Sequence, residues 1–230
     1  GENWQTIWFE KDTNYVKVID QTLLPHKLST KTLKNAEDAA NAIKKMIVRG
    51  APLIGVTGAY GLVLGLKEEP TLKNLEKNFE LLINTRPTAV NLKWALERVF
   101  NKVKNLEDKL RAQIALSEAI KIQNEDIKMC SNIGDYGLEI IKRMYKLKNN
   151  APDKKVLNIL THCNAGWLAT VDWGTALSPI FKAKRNNIPV HVWVDETRPR
   201  NQGFNLTSWE LINENIPNTL IVDNVGGHLM

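Results

Sequence analysis

Val156-Leu157-Asn158-Ile159-Leu160-Thr161-His162-Cys163-Asn164-Ala165-Gly166 decides how this chain is read. Residues 156–160 make a mostly aliphatic run of strand length, and a helical pattern follows further on. A buried strand therefore ends where a hydroxyl, an imidazole, a thiol and an amide stand in a row. Downstream the alternation repeats, with a helix at 174–186, a strand at 190–194, a helix at 207–214 and a strand at 219–222. Strands spaced by helices of this length predict βαβ units with right-handed crossovers and a parallel sheet. Open sheets of that kind bind ligands at the carboxyl ends of their strands, which makes Cys163 a candidate for chemistry. Pro179 falls inside the first of these helices and is expected to kink or shorten it.

Upstream the pattern is different. Alternation and β-branched or aromatic content predict two short strands, 6–9 and 15–19. Helical periodicity then runs through 33–48, 52–65, 72–83 and 89–104, followed by a long stretch from 106 to 145 interrupted near Ile133-Gly134. Asn149-Asn150-Ala151-Pro152-Asp153 is polar and turn-rich, and the pattern changes after it. The domain boundary is placed there, giving a strand/helical domain at 1–149 and the first part of a parallel α/β domain at 150–230. The expected fold class is α/β. A doubly wound sheet usually has five or more strands, and Gly1 stands where an initiator methionine would, so an excerpt or processed product is expected.

With 230 residues, 43% of them hydrophobic, the chain can bury a sizeable core. It has no apolar run of about 18 residues, and Gly1-Glu2-Asn3-Trp4 opens without a signal-peptide pattern, so a cytoplasmic protein without membrane contact is expected. Its 2 cysteines, Cys130 and Cys163, are no disulfide framework and show no zinc spacing; reduced thiols and no bound metal are the expectation. Cys130, inside a helical stretch, reads as a core residue. The net charge of +6 comes from scattered lysines without an aromatic-interleaved motif, which favours a solvated basic surface over a nucleic-acid site.

Several segments carry polar groups at places suited to binding. In Arg49-Gly50-Ala51-Pro52 the proline fits the first turn of a helix, whose free N–H groups beside Arg49 could receive a phosphate; the alternative is a plain corner with Gly50 as a C-cap. Gly55, Gly58 and Gly61, without a preceding strand, read as close helix packing rather than a nucleotide fingerprint. Arg86, next to Pro87 at another corner, could present a guanidinium to an anion or simply lie on the surface. The segments from Asp195 to Gly203 and from Asp223 to His228 follow the second and third parallel strands, so they gather on the same rim as Cys163. Salt-bridged loop packing is the alternative for Asp195, Glu196, Arg198 and Arg200. A thiol's acidity is weakened by burial and strengthened by a nearby cation. Adjacent side chains at a strand end point apart, so His162 need not partner Cys163 and a Cys–His–Asp hydrolase is poorly supported.

Taken in order, Arg49-Gly50-Ala51-Pro52, Arg86-Pro87-Thr88-Ala89-Val90-Asn91-Leu92, Thr161-His162-Cys163-Asn164-Ala165-Gly166, Val194-Asp195-Glu196-Thr197-Arg198-Pro199-Arg200-Asn201-Gln202-Gly203 and Asp223-Asn224 resemble the S-methyl-5-thioribose-1-phosphate isomerases of methionine salvage. The resemblance spans essentially the whole chain. It implies an N-terminal helical domain opened by short strands and a Rossmann-like C-terminal domain, usually in a homodimer. It also implies a sugar-phosphate substrate, no cofactor, and an aldose–ketose isomerisation. By the same resemblance Arg49, Gly50, Ala51, Arg86 and Gln202 bind substrate, and Cys163 is the active-site cysteine, moving a proton or stabilising the transition state. The family's general-acid aspartate in a Gly-Ala-Asp-Arg motif, and an Asn-Lys pair beyond it, have no counterpart here. Little activity is therefore expected of these 230 residues alone.

The same fold serves ribose-1,5-bisphosphate isomerases and the regulatory subunits of eukaryotic initiation factor 2B. The cysteine segment and Arg198-Pro199-Arg200-Asn201-Gln202 favour the methylthioribose enzyme over the regulatory subunits. They separate it less from the bisphosphate isomerase.

Overall fold

The computed structural model describes residues 5–148 and 156–229 and divides into two compact units, Gly1–Leu23 with Lys27–Ile127, and Leu24–His26 with Lys128–Met230. The polar segment 149–153, expected to be the domain boundary, lies outside the described residues. The contacts divide the chain earlier, inside a long helix, because that helix's later turns pack with the second unit.

The first unit opens with an antiparallel sheet of β1 (Ile7–Glu10), β2 (Tyr15–Ile19) and β3 (Thr30–Leu33) in that order. Ile7 pairs with Val18 and Val16 with Leu33, and all four side chains are fully buried, so period-2 alternation puts one face on the core. The third strand was not expected. Its sequence, Thr-Lys-Thr-Leu, carries one buried apolar residue, too little for a pattern to register. The first helix is correspondingly shorter than the expected 33–48. It is α1 (Ala36–Lys44), capped by the Asn35 side chain, which accepts from the Asp38 amide.

Three further helices follow, α2 (Ala51–Glu68), α3 (Leu72–Ile83) and α4 (Val90–Val103). Every residue of α2 from Leu53 to Leu66 is buried, as expected for a helix that is apolar all round. Burying one leucine contributes about 1.5–3 kcal/mol, so α2, with Leu53, Leu62 and Leu64 all inside, anchors this unit. A Cβ on Gly55 would lie 2.9 Å from the Asn91 carbonyl oxygen, and one on Gly58 would lie 2.5 Å from Leu92 Cδ1. The glycines therefore serve close packing of α2 on α4, as their spacing suggested. Among the described residues no helix is long and apolar enough to cross a membrane.

Helix α5 (Asp108–Lys148) is continuous over 41 residues, and its part up to Ile127 belongs to the first unit. There Gln123 accepts a hydrogen bond of 2.5 Å from the buried Tyr60 hydroxyl. The interruption expected near Ile133-Gly134 does not occur. In the second unit a Cβ on Gly134 would sit 2.3 Å from Ser178 Oγ, and one on Gly137 would sit 2.3 Å from Pro179 Cγ. These glycines admit a neighbouring helix instead of ending their own.

The second unit is built on a parallel sheet, β4 (Leu157–Thr161), β5 (Val190–Asp195) and β6 (Asn218–Ile221), in that spatial order. Helix α6 (Ser178–Arg185) and helix α7 (Ser208–Asn213) supply the connections. Leu177, Ile180 and Phe181 join Val190, Val192, Val194 and Leu211 in one core with Leu138 and Ile141 of α5. Helix α6 is shorter than the expected 174–186 because Pro179 lies in its first turn, where a missing N–H costs nothing. The carboxyl ends of all three strands fall on one edge.

Candidate active site

In the second unit the chain leaves β4 at Thr161 and turns at Cys163, whose φ of 61° is left-handed. The Cys163 amide donates to Thr197 Oγ1 at 2.7 Å, and its carbonyl accepts from the Thr207 hydroxyl at 2.6 Å. The thiol is free and half-buried, whereas Cys130 is buried as a core residue. His162 is exposed, and its Nδ1 lies 3.0 Å from Asp195 Oδ2. The imidazole is thus paired with a carboxylate at the end of β5, in keeping with a strand end where it need not partner the adjacent thiol.

Beyond β5, Thr197 also has a left-handed φ, 63°. Its hydroxyl donates to the Asp195 carbonyl at 3.1 Å, and its amide donates to Asp223 Oδ1 at 2.8 Å, while the Arg198 amide donates to Asp223 Oδ2 at 2.9 Å. These two backbone hydrogen bonds, Arg198 first, hold the Asp223 carboxyl below the usual aspartate range. Asp223 follows β6, so one carboxylate ties the second and third strand ends together. A depressed acid contributes its stabilisation above the unfolded aspartate value and loses it only as pH falls through the lower folded one. The ties therefore persist at neutral pH.

Among the described residues, His162, Asp195 and Asp223 offer ligand atoms within 4.8 Å of one another and could hold a metal ion. Both Asp223 oxygens already accept backbone amides, and one Asp195 oxygen faces His162. Glu196 pairs with Arg198 at 3.4 Å, the loop packing anticipated for those two, and Arg200 is exposed.

Gln202 is half-buried and begins the π-helical turn Gly203–Thr207, whose last residue is the threonine bonded to the Cys163 carbonyl. A Cβ on Gly203 would come 1.7 Å from the Asp195 carbonyl oxygen, so only glycine lets this turn lie against the end of β5. Cys163 and Gln202 thus belong to one rim.

Glu210 escaped sequence reasoning. It is 0% exposed and accepts from Asn164 Nδ2 at 2.7 Å, the Trp167 amide at 2.9 Å and the Leu168 amide at 3.3 Å. A buried carboxylate thereby fixes the loop that follows the cysteine. Glu210 stands four residues after the buried Leu206, so the helical period alone puts it on the inward face.

In the first unit, Gly50 has a φ of 92° and caps the N-terminus of α2 rather than the C-terminus of α1, which ends at Lys44. Pro52 lies in the first turn of α2 as expected. Arg49 and Arg86 are both half-buried. Gly55 meets Asn91 and Ala95, and Gly58 meets Leu92 and Leu96, so α2 and α4 run side by side in the same direction. Their N-termini, and with them the segments of Arg49, Gly50 and Ala51 and of Arg86, lie at one end of this helix pair.

Residues 47–230 match the initiation factor 2 subunit family. Over 230 residues the chain is 54% identical to a methylthioribose-1-phosphate isomerase of Escherichia coli, and over 231 residues 50% identical to one of Rhodospirillum rubrum. It covers 61% and 59% of those proteins, so it spans about three fifths of the length of the relatives it matches. Among solved structures, the translation initiation factor eIF-2B subunit delta from A. fulgidus superposes with a TM-score of 0.83 at 39% identity, over 99% of this chain and 64% of that one. The 5-methylthioribose 1-phosphate isomerase from Pyrococcus horikoshii does so with a TM-score of 0.83 at 35% identity, over 99% of this chain and 62% of that one.

Proposed function

The chain belongs to the initiation factor 2 subunit family, and on that footing we propose that, in its natural-length protein, it isomerises S-methyl-5-thioribose 1-phosphate to S-methyl-5-thioribulose 1-phosphate. The observation that carries this reading is the rim itself, where a free, half-buried thiol stands at the carboxyl end of β4 with its backbone held by threonines from the β5–α7 connection. The identity to isomerases over the full chain supports it.

The chemistry asks for such a rim. C1 of the substrate carries a phosphate ester, so the ring must be opened with help before hydrogen moves from C2 to C1 and the C2 hydroxyl becomes a ketone. Cys163 is assigned to that step, as proton carrier or as the group that stabilises the transition state. Gln202 is assigned to sugar hydroxyls. Arg49, with the Gly50 and Ala51 backbone at the start of α2, and Arg86 before α4 are assigned to the phosphate.

A homodimer is part of the proposal. Met129, Ile133, Tyr136, Ile140, Met144 and Leu147 are exposed on α5 at spacings of three and four, an apolar stripe that a second copy would cover. A cytoplasmic setting and no nucleic-acid partner complete the reading. The second reading is a regulatory binding subunit, favoured by the likeness to the eIF-2B subunit delta.

Replacing Arg49 by Ala in the natural-length protein is expected to raise KM for methylthioribose 1-phosphate by about 10–100-fold, since a hydrogen bond to a charged group contributes about 1.5–3 kcal/mol. Arg86→Ala should act alike. Steady-state kinetics read the effect, and an unchanged KM in both variants removes the phosphate assignment.

A further inference from the structure

We propose that Thr197 is a positioning residue for the Cys163 thiol, its hydroxyl holding the cysteine backbone in the left-handed form while Asp223 holds Thr197. The proposal rests on the isomerase reading for its catalytic consequence, and on geometry alone for the clamp.

Threonine is β-branched, and a β-branched residue at φ 63° is an outlier that persists only where its surroundings over-determine it. Here every polar atom of the residue is engaged. The amide donates to Asp223 Oδ1 at 2.8 Å, the carbonyl accepts from the Asn201 amide at 2.8 Å, and the hydroxyl donates to the Asp195 carbonyl at 3.1 Å while accepting from the Cys163 amide at 2.7 Å. The side chain is buried, at 7% exposure for the residue. These four hydrogen bonds hold the residue on both its backbone and its side chain. Its hydroxyl proton is committed to Asp195, and the same oxygen accepts from the cysteine amide.

Cys163, at φ 61°, is likewise in a conformation that non-glycine residues seldom hold. On its amide side it is tied to Thr197, and on its carbonyl side to Thr207. A left-handed residue at this point sets where its Cβ, and so its sulfur, is carried. Two strained residues on neighbouring strand ends thus brace one another, and Asp223 after the third strand fixes the brace. Strain of this kind collects where a side chain must be held for a task.

The test uses the natural-length protein with Thr197→Val, which keeps shape and removes the hydroxyl, and Thr197→Ser, which keeps the hydroxyl. Two readouts are taken, steady-state kinetics and the rate at which iodoacetamide alkylates Cys163, followed by peptide mass spectrometry. A misplacement of about 1 Å costs about 100-fold in rate, so Thr197→Val should lower kcat roughly 10–100-fold with KM within about threefold. Thr197→Ser should recover most of it. Alkylation of Cys163 should change by at least about fivefold in the valine variant and stay near wild type in the serine variant. Should Thr197→Val fail to fold, Asp223→Asn, which withdraws the charge facing the Thr197 amide, is expected to move both readouts the same way. Wild-type kcat and alkylation in the valine variant, or equal damage in valine and serine variants, overturns the clamp. If no form turns over substrate while alkylation still separates valine from serine, the clamp stands and the isomerase reading is what fails.

Discussion

Replacing Cys163 by Ser in the natural-length protein is expected to lower kcat for methylthioribose 1-phosphate by about 10²–10⁴-fold, the usual worth of a positioned proton-transfer group, with KM within about threefold. Serine is close in shape and keeps the backbone bonds to Thr197 and Thr207, so the rim should remain folded. What it lacks is a proton of comparable acidity and a polarisable sulfur. A loss confined to kcat marks an interaction made mainly in the transition state. Steady-state kinetics on both proteins, with circular dichroism to confirm the fold, decide the matter. An unchanged kcat would reduce Cys163 to a packing residue and remove the centre of this account.

The largest effect on stability is expected at Glu210. Glu210→Ala deletes the acceptor for the Asn164 side chain and the Trp167 and Leu168 amides, and these donors cannot all reach water. A buried donor left unsatisfied costs about 1–3 kcal/mol, so a loss of about 3–5 kcal/mol is expected, a large part of the 5–15 kcal/mol typical of a folded protein. Glu210→Gln retains one oxygen acceptor and should cost roughly half as much. Urea unfolding midpoints at constant m-value measure both. An alanine variant within about 0.5 kcal/mol of wild type would show that the loop after Cys163 is not held by this carboxylate.

Much of the second unit could be read from sequence because its strands are short aliphatic runs separated by helices, which leaves few arrangements other than a parallel sheet. The place of Cys163 followed from the same pattern. Tertiary events were harder to see. Gly134 looks like a helix break but is a point of close approach for Ser178. β3 exists because β2 offers it an edge, and Thr30–Leu33 alone carries almost no strand signal. Thr197 lies in the polar segment after β5, yet nothing local announces a left-handed threonine, which is sustained by Asp223 from 26 residues away. Glu210 was legible in principle, since its spacing from Leu206 puts a carboxylate on a buried face. Arg49 and Arg86 came from chemistry plus resemblance, and the packing of α2 on α4 explains how residues so far apart in sequence can precede neighbouring helix ends.

The most direct test of the central claim follows [1-¹³C]methylthioribose 1-phosphate by carbon NMR in the presence of the natural-length protein. The labelled acetal carbon is expected to become a methylene carbon bearing phosphate while a ketone appears at C2, and ribose 1,5-bisphosphate is expected to be converted more slowly under the same conditions. Persistence of the acetal signal, as a regulatory binding subunit would give, or faster conversion of the bisphosphate, would contradict that claim.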